Sequence, residues 1–178
     1  MSESDGSTQQ PATPAVVPSV VAVVVTHNPG PWFEETMQSL VDQDYRNLSI
    51  LVIDAASTAD PTRRVAEVAP DAFVRRLASN PGYSAAANLA LRMVEGAAFF
   101  VFCHDDVALG PSAVRFLVEE AYRSNAGVVG PKLVHWDEPE RLLQVGLGSD
   151  KFACPAPVVE RGELDQEQHD AVRDVFTV

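Results

Sequence analysis

A run of apolar residues leads directly into acidic residues near the middle of the chain, in FFVFCHDDV at positions 99–107. The apolar part predicts a buried strand over Phe99–Cys103, and His104, Asp105 and Asp106 follow it. Adjacent carboxylates repel each other, so a cation usually accompanies them. A divalent metal that carries a phosphate is a common partner of this kind. The alternative is that the two aspartates only begin a turn or cap the next helix.

Other predicted strands also end in polar residues. These are Thr26 with His27 and Asn28 after the first strand, Asp54 after the second, and Asn80 after the third. In a doubly wound parallel sheet the carboxyl ends of the strands face one crevice, and ligands bind there. The convergence therefore favours a ligand site at one edge of the sheet. His27 and His135 lack motif support, and we expect both to be structural or exposed.

Strand-like and helix-like segments alternate along the chain, which predicts an α/β fold with a doubly wound, mostly parallel sheet and helices on both faces. The predicted strands are 20–26, 48–53, 72–77, 97–103 and 127–134, and the predicted helices are 31–43, a segment begun by Asp60 and Pro61, 84–95 and 111–123. In the last helix, Phe116 and Leu117 are expected to face inward. The pattern weakens after Trp136, where 142–147 fits a short strand and 160–174 fits a helix or a loop.

The charge balance argues against nucleic acid as a partner. The 178 residues include 13 Lys+Arg and 25 Asp+Glu, which gives a formal net charge of −12. A protein that follows a nucleic-acid backbone is normally basic on one face. An acidic chain that binds a smaller anion needs local help from a metal or from backbone amides. The two cysteines, Cys103 and Cys154, are expected to be free thiols in a reducing compartment.

The first 18 residues are rich in Ser, Thr, Gln and Pro, so we predict a disordered leader over 1–18. They lack the basic start and the long apolar middle of a signal peptide. The apolar run 16–25 is too short to span a bilayer and contains Pro18. We therefore expect this chain in the cytoplasm or at the cytoplasmic face of the membrane, with any membrane association supplied by parts that are not in this chain.

Several familiar motifs are absent from the sequence. No GxGxxG follows the first strand, and the chain contains no GxxxxGK[ST], HExxH or GxSxG segment. The single GxG at Gly146–Gly148 is isolated and predicts nothing by itself. The residues therefore do not indicate a dinucleotide-binding, P-loop, zinc-protease or α/β-hydrolase site.

Four segments together resemble the amino-terminal half of a family 2 glycosyltransferase. They are VVVTHNPG, LSILVIDAASTAD, SNPGYSAAANLAL and FFVFCHDDVALGPSAV. The resemblance covers about residues 20–134, and actinobacterial enzymes that transfer rhamnosyl or galactofuranosyl units look most similar. It implies a GT-A, Rossmann-like nucleotide-sugar-binding fold, with a donor-binding domain over 19–135 and an incomplete acceptor-side region over 136–178. We therefore expect the chain to be truncated at its carboxyl end.

The resemblance also implies roles for individual residues. The residues implied to bind the nucleotide sugar are Thr26, Asn28, Asp54, Asn80, Gly82, Asn88, His104 and Asp105. Thr26 and Asn28 would line the nucleotide pocket, and Asp54 would hydrogen-bond the base or ribose. Gly82 would let the backbone approach the donor, because it has no side chain. The alternatives are an Asx turn between Asp54 and Ser57, and an Asn88 that merely faces solvent.

The acidic segment departs from the pattern that it resembles. His104 stands at the first position of an Asp-x-Asp motif, where Asp or Asn is more typical. Histidine can hydrogen-bond a ribose, or it can ligate a softer divalent ion such as manganese. Asp106 matches the last acid of the motif, which implies that it ligates Mn²⁺ or Mg²⁺.

The implied reaction is a metal-dependent sugar transfer with inversion, from a UDP or dTDP sugar to a glycan or lipid-linked acceptor in cell-envelope polysaccharide synthesis. The general base of the family lies in a segment that is absent here, so we expect it beyond residue 178 and name no catalytic residue. Glu160, Glu163 and Asp165 are expected to form a solvated loop. The alternatives are a nucleotidyltransferase of similar architecture and a non-catalytic nucleotide-binding domain.

Overall fold

The computed structural model describes residues 17–175, so most of the predicted leader lies outside the described residues. The elements in chain order are β1 (Val20–Thr26), α1 (Phe33–Val41), β2 (Leu48–Asp54), α2 (Thr62–Val68), β3 (Phe73–Arg76), α3 (Tyr83–Met93), β4 (Phe99–His104), α4 (Ala113–Ser124), β5 (Leu133–Val134), β6 (Leu142–Gln144), β7 (Leu147–Ser149) and β8 (Pro155–Pro157). Over residues 17–175, no helix combines the length and the apolar character that a bilayer span requires.

A four-stranded parallel sheet in the order β3-β2-β1-β4 forms the centre of the fold. β1 pairs with β2 along its whole length and with β4 from Val20 opposite Phe99 to Val25 opposite His104. All seven residues of β1 are buried. This burial explains the unbroken apolar run in the sequence. A strand that is covered on both faces has no side in contact with solvent, so polar residues do not alternate with apolar ones.

Helices cover both faces of this sheet, as the alternating pattern predicts. On one face, Ala22, Val24 and Val52 pack with Phe33, Met37 and Leu40 of α1 and with Val65 of α2. On the other face, α3 packs against the sheet through Ala86, Ala87 and Ala90. Their partners in β1 and β2 are Val21, Val23, Val25, Leu51 and Ile53. The small alanine side chains let the backbone of α3 lie close to the strands. The doubly wound α/β prediction is therefore confirmed.

The prediction of a fifth strand over 127–134 is wrong. Only Leu133 and Val134 form β5, and β5 pairs antiparallel with β6 in a sheet of its own. The reason lies in Gly130 and Pro131, because proline has no N–H to donate and is excluded from the middle of a sheet. Val128 is 73% exposed, so the apolar residues before the proline do not enter a core.

The rest of the carboxyl-terminal part is built from short antiparallel pairs. β7 pairs with β8, and one isolated bridge joins Arg141 to Leu164. The sequence of 160–174 fits a helix or a loop, and the structure has a loop with no helix there. The predicted boundary at residue 135 stays a prediction, although the β5–β6 pair spans it.

One expectation about α4 is also wrong, since Phe116 faces outward. The buried residues of α4 are Val114, Val118 and Ala121, whose spacing defines one stripe of the helix. Phe116 falls outside this stripe and is 58% exposed. The guanidinium carbon of Arg115 lies 4.5 Å from the centre of its ring, so the aromatic face is partly covered by a cation. Leu117 is half-buried.

The packing of α1 leads to a prediction about stability. Phe33 is fully buried, and Phe→Ala substitutions at such sites cost about 3–5 kcal/mol. We expect Phe33→Ala to lower the free energy of unfolding by this amount in urea denaturation followed by circular dichroism. Phe73 on the edge strand is 68% exposed, so Phe73→Ala should change the same quantity by no more than about 0.5 kcal/mol. Equal losses in the two variants would contradict the packing of α1 on the sheet.

Candidate functional site

The first contact of the site joins the end of β1 to the acidic turn after β4. The register sets Val25 opposite His104, so Asp105 lies at the level of Thr26. The Thr26 hydroxyl donates a short hydrogen bond to a carboxylate oxygen of Asp105. Thr26 is buried and Asp105 is half-buried, so this bond is shielded from competing water. Two of the predicted site residues are therefore in direct contact.

Asp54 at the end of β2 is fully buried and is neutralised within the chain. One carboxylate oxygen accepts a hydrogen bond from the amide of Ser57 at 2.9 Å. The other accepts from Nε of Arg76 at 2.7 Å, and the side chain of Arg76 is 39% exposed. The hydrogen bond to Asp54 holds the pKa of Arg76 above its ordinary value, and the charge of Asp60 also contributes. The Asx turn with Ser57 is present, and binding of a base or ribose by Asp54 stays a prediction.

The loops after β1 and β2 are joined by hydrogen bonds around Asn28. The amide of Asn28 donates to the Ser57 hydroxyl at 2.7 Å, and its side-chain oxygen accepts from the amide of Thr58 at 2.8 Å. The His27 ring contacts the carbonyl of Ala55 through Nδ1 at 2.8 Å. A carbonyl can only accept, so Nδ1 carries the proton. His27 therefore has the structural role that the sequence favours, and Asn28 is fixed beside Thr26.

Arg64 in α2 is a residue of this region that the sequence reasoning missed. Its guanidinium binds both carboxylate oxygens of Glu34, at 2.5 and 2.7 Å, and the carbonyls of Pro29 and Gly30 at 3.0 and 2.9 Å. The hydrogen bond to Glu34 raises the pKa of Arg64, and the charge of Asp105 adds to the effect. Arg64 thus fixes the first loop, and its charge lies near that of Asp105. No sequence motif marked it.

The turn before α3 brings two further predicted residues together. The side-chain oxygen of Asn80 accepts a hydrogen bond from the amide of Gly82 at 2.9 Å. Gly82 has φ +85°, a conformation that favours glycine. The next residue, Tyr83, stacks on the ring of His104, with the ring centres 4.2 Å apart and the planes 14° from parallel. Asn88 lies farther along α3, where it is exposed as its solvent-facing alternative expects.

Asp106 differs from the other two acids of the site because it is exposed and accepts no hydrogen bond from a described residue. Within residues 17–175, no group of three or more His, Cys, Asp or Glu side chains could hold a metal by itself. Magnesium-type sites often take only one or two carboxylates and complete their coordination with waters and substrate phosphates. An unpaired carboxylate beside His104 fits a metal that arrives with a phosphate ligand, and it does not fit a site made of protein ligands alone.

Two concave surfaces lie at opposite ends of the sheet. A cleft of about 240 Å³ next to the first loop is lined by Asn28, Pro29, Thr58, Ala59, Asp60, Pro61 and Arg64. A larger groove of about 710 Å³ includes Val17 and Pro18, which precede β1, and Tyr45, which precedes β2. It therefore lies where the strands begin, and none of the predicted site residues lines it. The smaller cleft is the one that shares the edge of the sheet with the acidic turn.

The acids of the carboxyl-terminal part are paired within that part. Hydrogen bonds from Gln168, from the amide of Glu160 and from His169 lower the pKa of Glu163. Lys132 binds Asp165 at 2.6 Å and lowers its pKa. A lowered pKa makes a carboxylate a weaker base. Glu163 and Asp165 are therefore weaker bases than unpaired carboxylates.

Comparisons with known proteins identify the family. The model of the family described as Glycosyl transferase family 2 matches residues 21–161, which is most of the chain. The chain therefore belongs to glycosyl transferase family 2. A search of curated protein sequences finds no significant match.

Solved structures of glycosyltransferases share the fold. S. aureus TarS 1–349 in complex with UDP-GlcNAc matches with a TM-score of 0.54 and 22% identity, over 72% of this chain and 40% of that one. The mannosyltransferase PcManGT from Pyrobaculum calidifontis, in complex with GDP-Man and Mn²⁺, matches with a TM-score of 0.51 and 28% identity, over 68% of this chain and 37% of that one. The chain thus spans less than half of the length of these relatives, and the likeness confirms the GT-A type of α/β fold.

The buried carboxylate of Asp54 leads to a prediction about local stability. Asp54→Ala leaves the amide of Ser57 buried without its acceptor, so we expect the free energy of unfolding to fall by about 1–3 kcal/mol. Asp54→Asn keeps an oxygen that can accept from this amide and should lose less. Chemical denaturation of the three proteins measures the difference. Equal losses would show that the turn at Ser57 is not what Asp54 stabilises.

The two free cysteines provide a test of how well β4 is buried. Burial raises the pKa of the Cys103 thiol to about 12, and the charge of Asp105 contributes, whereas Cys154 is exposed. The thiolate is the reactive form, so iodoacetamide at about pH 8 should alkylate Cys154 and spare Cys103. Mass spectrometry of the digested protein reads out both sites, and in denaturant both should react. Rapid alkylation of Cys103 in the folded chain would mean that the end of β4 opens.

Proposed function

We propose that this chain carries the donor-binding part of a glycosyltransferase that uses a nucleoside diphosphate sugar. The observation that carries the proposal is the hydrogen bond from Thr26 to Asp105, which joins the end of β1 to the acidic turn after β4. It gathers polar side chains at the edge where parallel sheets bind ligands, in a chain that belongs to glycosyl transferase family 2.

The nucleotide would bind along the loops after β1, β2 and β3. Thr26 and Asn28 would line its pocket, Asp54 would contact the base or ribose, and Asn80, Gly82 and Asn88 would lie along the donor. The fixed positions of Asn28 and Asn80 support this, since their side chains already hold the loops in one conformation. A loop that is ordered before binding loses less entropy when the ligand arrives.

Asp106 would hold a divalent cation, Mn²⁺ or Mg²⁺, together with the phosphates of the donor. When bound, this ion would offset the charge that develops on the departing nucleoside diphosphate. The exposed carboxylate of Asp106 supports the assignment, as does the Mn²⁺ in the structure of the mannosyltransferase PcManGT. His104 and Asp105 would contact the nucleotide, with Asp105 held by Thr26.

We further propose a UDP or dTDP donor, with a rhamnosyl or galactofuranosyl unit as the sugar. The acceptor would be a glycan or a lipid-linked saccharide of the cell envelope, the transfer would invert the anomeric centre, and the enzyme would act in the cytoplasm or at the cytoplasmic face of the membrane. The sequence resemblance supports these details. The general base would be supplied from outside the described residues.

The decisive experiment is a calorimetric titration of UDP, dTDP and GDP into the chain, with and without Mn²⁺. We expect binding that requires the metal and that weakens by more than about tenfold in Asp106→Ala, since the loss of even an outer-shell partner costs 10- to 100-fold in metal affinity. Asp71→Ala is the matched control, because Asp71 is exposed and remote in sequence from the acidic turn. It should bind as the unmodified chain does.

Titrations of this kind, extended to nucleoside triphosphates and nucleotide sugars, can contradict the proposal in three ways. A folded chain that binds no nucleoside diphosphate would show that residues 19–135 do not form a working donor site by themselves. Tighter binding of nucleoside triphosphates than of UDP-sugars or dTDP-sugars would favour the nucleotidyltransferase alternative. Metal-dependent binding that survives Asp106→Ala would show that Asp106 does not hold the metal, and it would leave the rest of the proposal unchanged.

A further inference from the structure

The stacked pair of Tyr83 and His104 connects the start of α3 to the acidic turn. Their ring centres lie 4.2 Å apart with an angle of 14° between the planes, which is a face-to-face contact. The two residues lie 21 positions apart in the sequence, on different elements that meet only through the fold. Nothing in the nucleotide-binding assignment above gives Tyr83 a role.

The two partners of this stack are unequal, because Tyr83 is the better fixed. Tyr83 is half-buried and packs against the cluster that α3 forms with β1 and β2. Its backbone follows Gly82, whose conformation is held by the hydrogen bond to Asn80. His104 is exposed and makes no hydrogen bond with a described residue through its ring. The orientation of the imidazole therefore depends on the phenol ring, and the reverse dependence is weak.

A histidine at this place gains from such a support when a ligand binds. An exposed imidazole turns about two side-chain bonds and loses this freedom when a ligand binds. A ring that already stacks on a fixed aromatic neighbour has lost much of it beforehand, so ligand binding costs less. The next residue, Asp105, is held independently by Thr26, which keeps the backbone of the turn in place.

We propose that Tyr83 is a positioning residue of the donor site, which holds the His104 imidazole in one orientation toward the nucleotide. The proposal rests on the proposed function, since it requires that a nucleoside diphosphate binds at the acidic turn. It extends that function to a residue outside the acidic segment, at the start of α3. One face of the imidazole is covered by Tyr83, and the remaining surface is left for the ligand.

The first arm of the test compares three chains in titrations with UDP, dTDP and GDP in the presence of Mn²⁺. Tyr83→Phe keeps the ring and should bind as the unmodified chain does. Tyr83→Leu keeps an apolar side chain but loses the stack, and we expect its affinity for the nucleotide that binds best to fall roughly two- to tenfold. Circular dichroism and the midpoint of thermal unfolding establish that each variant is folded.

The second arm separates a role through His104 from a general structural role. In a His104→Ala background, Tyr83→Leu should have no further effect on nucleotide affinity, because the side chain that it positions is gone. A double-mutant cycle measures this coupling directly. If Tyr83→Leu weakens binding equally in both backgrounds, Tyr83 acts through the packing of α3 and the proposal is overturned.

A third measurement observes the stack itself and needs no ligand. Protons that lie over the face of an aromatic ring resonate upfield, so the His104 ring protons should be shifted upfield in the unmodified chain and in Tyr83→Phe. They should move downfield in Tyr83→Leu. The chain has four histidines, and the signal that disappears in His104→Ala assigns the one in question.

The outcomes distinguish failure of this inference from failure of the proposed function. An unmodified chain that binds none of the three nucleotides overturns both. Nucleotide binding that is equal in the unmodified chain and in Tyr83→Leu overturns only the role of Tyr83. Weaker binding in Tyr83→Leu, restored in Tyr83→Phe and coupled to His104, supports it.

Discussion

The pairing of β1 with β2 on one side and with β4 on the other is the constraint on which the site depends. The register sets Thr26 opposite Asp54 and Val25 opposite His104, so the strand ends meet at one level. A slip of one residue would turn Val23 and Val25 from α3 toward the face that α1 covers, and it would break the packing on both faces. The same burial that stabilises β1 therefore fixes the distance between the first loop and the acidic turn.

The acids at this edge differ in how their charges are balanced. Some have partners within the chain that hold the fold together, and one has none among the described residues. Asp54 is neutralised by Arg76 and by the amide of Ser57, in a place that water does not reach. Asp105 has the Thr26 hydroxyl and the nearby charge of Arg64. Asp106 has no hydrogen-bond donor among the described residues, and this is the arrangement that the proposed cation site requires. In a chain with a net charge of −12, a cation at this place would also reduce the repulsion of an anionic ligand.

Sequence patterns predicted the parallel sheet and its strand ends because buried strands and alanine-rich helices leave a strong signal, as in Val20–Thr26 and α3. They failed at 127–134, where a valine pair suggests a strand and only the proline after it shows that the ladder cannot continue. They also failed at Phe116, since two adjacent apolar residues do not reveal which of them lies on the buried stripe. Arg64, Arg76 and Tyr83 could not be found in this way, because their partners are distant in sequence. The burial of Asp54 likewise depends on contacts that no single motif encodes.

The geometry at the carboxyl ends of the parallel strands depends little on the carboxyl-terminal part of the chain. Among the described residues, no hydrogen bond or ion pair joins the part up to Asn125 to the part from Gly127 onward, and the aromatic rings of Trp32 and Trp136 pack across this division. The later part holds itself together with two-stranded sheets and with the ion pairs of Lys132. Such small sheets bury too little apolar surface to be stable alone, and Phe152 remains 75% exposed. The orientation of Thr26, Asp54 and the acidic turn is therefore set by the sheet and its helices, and the later segment packs against this part of the chain through Trp136, which contacts Trp32 just before α1.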